Sequence, residues 1–122
     1  MAITRKENIP ELLEEYSPIV FIVNILSHKW SLFILLSLSE PKRFNQLRRH
    51  LNISHSVLSK ELKVLEKFFL INRRIIEDTN PPSVEYSLTE FGRSLLSLCM
   101  EMEELGVIIE KRLCEGTGEE DI

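Results

Sequence analysis

The chain is poor in the residues from which catalytic and redox sites are most often built. Glycine occurs 4 times in 122 residues and forms no Gly-rich loop able to cradle a phosphate. Cysteine is scarcer, with Cys99 and Cys114 alone. Both fall in one expected helix, roughly 22 Å apart at 1.5 Å per residue, beyond disulfide reach. That excludes a disulfide framework and suits the cytoplasm. His28, His50 and His55 share no metal-ligand spacing, so no metal and no cofactor is expected. No nucleophile–base pair is evident, which argues against an enzyme. The N-terminus is polar and charged up to Pro10, unlike a signal peptide. The apolar run from Ile19 to Leu38 is broken by Asn24, Ser27, His28 and Lys29. A central lysine costs about 2.5–3.5 kcal/mol in a membrane span. Two buried helices with a bend are expected instead, and no membrane partner.

The chain also lacks net positive charge: 15 Lys/Arg stand against 19 Asp/Glu, a formal −4. The distribution matters more than the total. Residues 42–74 hold nine Lys/Arg and two Glu, a local +7 that leaves −11 for the remainder. A basic segment in an acidic chain is an electrostatic footprint for phosphates, and the rest of the surface repels them. A length of 122 residues and a hydrophobic content of 43% predict one globular domain with a real core.

What is present centres on Phe44 to Phe69. A short amphipathic segment, Phe44 to Leu51, is followed by a break at Asn52-Ile53. Ser54 stands where an N-cap belongs. Leu58, Leu62, Leu65 and Phe69 then recur on one helical face. Ser56, Ser59, Lys60, Lys63 and Lys67 fall on the opposite face, with Glu61 and Glu66 at the flanks. Two helices joined by a tight turn, the second basic and hydroxylated outside, form a pattern for reading a DNA major groove. A plain solvated helix face has the same composition. Arg43 to His50 is read as the first of these helices, and Arg43, Arg48 and Arg49 suit phosphate contacts.

The flanking segments complete a wing and a long helix. Ile71 to Ile76 and Ser83 to Leu88 alternate as strands around a turn at Asp78–Pro82. Thr89 caps a last helix on which Phe91, Leu95, Leu98, Met102, Leu105 and Ile109 step by fours and threes, a coiled-coil-like seam. Leu96, Val107 and Ile108 widen it. Its apolar surface points to dimerisation; folding back onto the chain's own N-terminal helices is the alternative. Upstream, Pro10 opens a short helical turn. Ser17-Pro18 caps a helix with Ile19, Ile22, Val23 and Leu26 inward. A third helix runs from Lys29-Trp30 to about Ser39, with Trp30, Phe33, Ile34 and Leu38 available for burial. The fold class is thus mainly α with a small β-hairpin: a winged helix-turn-helix with a long C-terminal dimerisation helix. The helix-turn-helix covers about 43–68, the wing about 70–88, and the dimerisation helices about 10–27 and 89–113.

Several runs resemble the HxlR-type transcriptional regulators, winged-helix proteins of MarR-like architecture. They are Lys29-Trp30 with its following Ile-Leu-Leu, Pro41-Lys-Arg-Phe-Asn-Gln-Leu-Arg-Arg, Ile53-Ser-His-Ser-Val-Leu-Ser-Lys-Glu-Leu, and Pro81-Pro-Ser-Val-Glu-Tyr-Ser-Leu-Thr-Glu-Phe-Gly. The resemblance covers about Ser17 to Gly106. It implies a homodimer on an inverted-repeat operator in double-stranded DNA. Ser54 to Lys63 would enter the major groove and Asn80 to Ser83 would form the wing tip. Three departures stand out. Ser17 replaces a cysteine that many relatives carry. Phe68-Phe69 replaces the usual Asp-Gly, which removes a sharp glycine turn. Ser83 and Asp78 make the wing less basic.

The expected DNA contacts are therefore Arg43, Ser54, His55, Ser56, Ser59, Lys60, Lys63, Asn80 and Ser83. Base edges fall to His55, Ser56 and Ser59, with Lys60 suited to guanine. A protein-interaction module that keeps the fold without DNA binding is the alternative function. Trp30, Phe33, Phe68 and Met100 or Met102 could line an effector pocket or could be ordinary core; the identity of any small-molecule effector is not legible.

Overall fold

The computed structural model describes residues 17–116. The expected turn at Pro10, and residues 10–16 of the N-terminal dimerisation segment, lie outside them. Helix α1, Pro18–Leu26, opens where expected: the Ser17 hydroxyl accepts the Val20 N–H at 3.3 Å, with proline at the first position. Its inner face differs from the expected one. Ile25 is buried, with Phe21, Ile22 and Leu26 packed beside it, whereas Ile19 and Val23 are 75% and 55% exposed.

Helix α2, Lys29–Ser37, follows at a bend of 82°. Among the described residues no single helix is long and apolar enough to cross a membrane. Ile34, Leu35 and Leu38 lie at the centre of the core. Phe33, expected inside, is exposed; helices α3 to α5 pack on the Ile34–Leu35 side and leave Phe33 edge-on to Trp30 at 6.1 Å.

A two-residue strand, β1 (Lys42–Arg43), precedes helix α3 (Phe44–Leu51). Arg43 is therefore extended rather than helical, and its N–H donates to the Gln46 side-chain oxygen at 2.7 Å. Leu47 anchors α3 in the core. Asn52 ends the helix in the left-handed region, φ 53°, which asparagine tolerates well. Helix α4, His55–Lys67, begins at Ser54, whose hydroxyl accepts the Val57 N–H at 3.3 Å. Leu58, Leu62 and Leu65 are fully buried, as their spacing requires.

Phe69 does not join that face. It is 70% exposed and adopts φ 62°. The Phe69 N–H donates to the Glu66 carbonyl and the Leu70 N–H to the Leu65 carbonyl, both at 3.0 Å. This is the pair of bonds that closes a helix through a left-handed residue, a place usually held by glycine. The sharp turn is thus kept without glycine, at a conformational cost of about 1–2 kcal/mol.

Strands β2 (Ile71–Ile76) and β3 (Ser83–Leu88) pair antiparallel from Ile71↔Leu88 to Ile76↔Ser83. Strand β1 adds to the other side of β3 through Lys42↔Tyr86 and Arg43↔Glu85, giving the order β1-β3-β2. Helix α5, Glu90–Glu115, starts at Thr89, whose hydroxyl oxygen accepts the Gly92 N–H at 3.0 Å and donates to the Phe69 carbonyl at 2.6 Å. A Cβ at Gly92 would collide with the Leu70 carbonyl oxygen. The end of α4 and the start of α5 thus meet backbone to backbone.

Candidate nucleic-acid interface

Rotation of α4 is set by its three buried leucines. Ser56, Lys60, Lys63 and Lys67 consequently stand exposed on the outer side as one ridge. Beside the ridge runs a groove of about 1030 Å³ between α4, the start of α3 and the wing. Arg43 and Arg49 line it from β1 and α3; His55, Ser59 and Lys63 from α4; Arg73, Pro81, Pro82 and Ser83 from the wing. The His55 ring rests on Phe44, centroids 4.7 Å apart and tilted 51°. That contact positions the imidazole at the mouth of the groove and limits its freedom to search for a base.

The expected DNA contacts therefore separate into three sets. Arg43, His55, Ser59, Lys63 and Ser83 come together in the groove. Ser56 and Lys60 stand on the ridge outside it. Ser54 has its hydroxyl oxygen engaged in capping, and Asn80 is exposed in the β2–β3 turn, before a cis bond to Pro81. Arg73, Asn45 and Gln46 line the groove without having been expected there. Arg73 is brought in by strand register: it sits opposite Tyr86 on the face that also carries buried Ile71 and Leu88. Glu66, read as a flank, lies in the groove as well.

The wing is basic on one side only. Arg74 and Glu85 form an ion pair at 3.0 Å on the opposite face, which Glu77, Asp78 and, from the sheet edge, Arg43 also line. The pair is largely solvent-exposed, so it adds little stability. Its consequence is electrostatic, since it cancels a charge that would otherwise extend the basic surface. Four basic residues, Arg43, Arg49, Lys63 and Arg73, thus line a concave surface with Glu66 as the only acid among its lining residues, Arg43 standing at the edge it shares with the Glu85 face. Such a surface concentrates positive potential where a phosphate-bearing strand fits.

A second surface, along α5 and α1, carries exposed apolar side chains. Phe91, Leu98, Met102, Leu105 and Ile109 of the predicted seam are exposed, but Leu95 is buried in the core of its own chain, as is Cys99. The seam drifts on a straight helix, so its first turns fall against α2 and β3. Leu98 and Met102 instead form an apolar groove of about 560 Å³ with Ile19, Ile22, Val23 and Leu26 of α1. The imagined effector pocket is not assembled. Phe68 packs edge-on against Phe21 at 5.6 Å, Met102 faces α1, and Met100 lies with Val107 and Ile108 elsewhere on α5. Burial pushes the Cys99 thiol pKa upward, while Cys114 is exposed. Among the described residues no group of three His, Cys, Asp or Glu could hold a metal ion.

Comparison with known proteins bears on the family and the fold. The HxlR-like helix-turn-helix family matches residues 25–112. The HTH-type transcriptional regulator YybR of Bacillus subtilis is 35% identical over 95 residues, covering 76% of this chain and 75% of YybR. YdeP of the same organism, also named an HTH-type transcriptional regulator, is 35% identical over 101 residues, covering 81% and 78%. Among solved structures, a MarR-family transcriptional regulator from Enterococcus faecalis V583 superposes with a TM-score of 0.73 at 28% identity, over 80% of this chain and 89% of that one. Winged helix, basic groove and family match converge: the chain belongs to the HxlR-like helix-turn-helix family of transcriptional regulators.

Proposed function

We propose that this protein is a sequence-specific regulator that binds double-stranded DNA as a homodimer, on an inverted-repeat operator, in the cytoplasm, with the whole chain forming one such domain. The observation that carries the reading is the lysine-and-serine ridge of α4 standing clear beside a basic groove. In this reading the ridge enters the major groove and a sugar-phosphate strand lies between α4 and the wing. Arg43, Arg49, Lys63 and Arg73 neutralise phosphates and set position. Ser56 and Lys60 reach base edges, His55 and Ser59 line the wall, and Ser54 fixes the start of the helix. Asn80 and Ser83 meet the neighbouring backbone from the wing tip. The exposed part of α5, with α1, pairs two subunits so that both ridges meet one face of the duplex about 34–36 Å apart. Phe91, Leu98, Met102, Leu105 and Ile109 supply that contact; Leu95 does not. Its relatives are named as regulators, and no catalytic role is proposed.

The double variant Lys60→Ala, Lys63→Ala tests the interface. Its affinity for duplex DNA should fall, and the slope of log K against log salt should flatten by about 1 for each phosphate that is no longer neutralised. Melting temperature should stay unchanged, because both side chains are exposed. Gel-shift titrations at two salt concentrations give the answer; unchanged affinity removes these lysines from the interface. A second reading is favoured by one observation, the neutral-to-acidic outer face of the wing. It is a protein-interaction module that keeps the fold and has no affinity for a random duplex at physiological salt.

A further inference from the structure

Two valines break the polar surface of α4. Val57 is 37% exposed and Val64 39% exposed, on the side of the ridge away from the wing. With the buried leucines defining inward, Val57 lies roughly 70° from the middle of the outward face at 100° per residue. Ser59 lies roughly 90° and His55 roughly 130° away by the same measure. Val57 therefore points more squarely outward than two of the polar residues expected to read bases. His55 is further withdrawn by its contact with Phe44. Val57 also belongs to the first turn of α4, and in helix-turn-helix proteins the first turns reach base edges. Val64 is two turns on, roughly 10 Å further along the axis.

The geometry of Val57 is fixed from two directions. Its N–H is held by the Ser54 hydroxyl at 3.3 Å. Its neighbour Leu58 is fully buried, which fixes the helix rotation. A β-branched side chain in a helix has one strongly preferred rotamer. Its two methyl groups thus form a small, rigid apolar surface beside Lys60, on the flank of the ridge away from the wing. The major groove offers one apolar group on a base edge, the C5-methyl of thymine. Serine hydroxyls give and accept with any base and discriminate poorly, so a rigid methyl surface among them contributes selectivity that they cannot.

Building on the DNA-binding reading above, we propose that Val57 is a specificity-determining residue that recognises a pyrimidine C5-methyl group, thymine in ordinary DNA, in each operator half-site. Polar neighbours position the duplex; Val57 selects the methylated pyrimidine edge.

The test begins with duplexes selected by the full-length protein from a random pool. Synthetic copies of the selected duplex then carry deoxyuridine for thymidine, one symmetric pair at a time, which removes only the methyl group. Wild type should lose about fourfold in affinity per half-site at one such position, the worth of one buried methyl. Val57→Ala, whose shorter side chain draws the apolar surface back, should discriminate thymidine from deoxyuridine less than wild type does, and its melting curve should match wild type because alanine favours the helix. Placing 5-methylcytosine at that position, paired with guanine, should retain more affinity than cytosine there for wild type and less so for Val57→Ala. If every deoxyuridine substitution affects wild type and Val57→Ala alike, the proposal is overturned while DNA binding stands. If no duplex is selected at all, the DNA-binding reading fails and this one with it.

Discussion

The two halves of α5 obey different rules. From Glu90 to Cys99 one side of the helix belongs to the core: Gly92, Leu95 and Cys99 are buried there, while Phe91 and Leu98 on the other side stay exposed. From Met100 to Glu115 every residue except Gly106 is exposed, although Met102, Leu105, Val107, Ile108, Ile109 and Leu113 are apolar. One continuous amphipathic pattern thus serves two ends, first burial within the chain and then an exposed apolar surface roughly 24 Å long. The difference teaches that periodicity identifies a buried face without saying whose core covers it.

Substitutions can pull the two halves apart. Leu95→Ala should cost about 2–5 kcal/mol of unfolding free energy in urea titrations, because it opens a cavity beside α2. An effect below about 1 kcal/mol would mean the proximal half is less embedded than its burial indicates. Leu105→Glu with Ile109→Glu should act differently: monomer in sedimentation velocity, with weakened operator binding and a core that still melts cooperatively. A dimer that survives both charges would move the interface away from the distal half. Because the proposed dimerisation would couple to stability, both sets of variants need comparison at equal protomer concentration.

Smaller effects sharpen the contrast further. Phe69→Gly should raise stability by about 0.5–1 kcal/mol, since glycine accepts φ 62° without the steric cost that phenylalanine carries. A decrease instead would show that the exposed ring makes a contact worth more than the backbone strain. The cysteines give the mildest readout. With its pKa raised by burial, Cys99 carries less thiolate than an ordinary thiol at any given pH, so its alkylation should lag behind that of Cys114 and accelerate only at higher pH. Equal labelling rates at pH 8 would contradict a buried Cys99.

Much of the fold could be read from local chemistry. Ser17, Ser54 and Thr89 cap helices because a hydroxyl beside a free N–H is decided within four residues, and all three do so. Leu58, Leu62 and Leu65 are buried because the helix that carries them has only one apolar side. What escaped depends on distant partners. Strand β1 is two residues long and exists only because β3 offers it an edge. Phe69 continues the α4 pattern, and nothing nearby signals that the chain turns left-handed there. Ile19, Val23 and Phe33 read as inward-facing because apolar side chains do not declare which molecule buries them. Arg73 and Glu66 enter the groove through strand register and helix packing, so a charge count along the chain could not place them. Ridge residues are easier to anticipate, since the helix that carries them also fixes where they point.

The junction of α4 and α5 has a mechanical corollary. Thr89 donates its N–H to the Leu70 carbonyl at 3.0 Å and its hydroxyl to Phe69, and Gly92 leaves no slack between the two backbones. The helix proposed to read the operator and the helix proposed to join subunits are therefore tied at one close backbone junction. In the proposed dimer, with a two-fold axis about 17 Å from each ridge, a swing of roughly 10° would carry a ridge about 3 Å, close to the rise of one base pair. In that dimer, a tilt of one α5 helix against the other would reach the DNA as a change of spacing between the ridges.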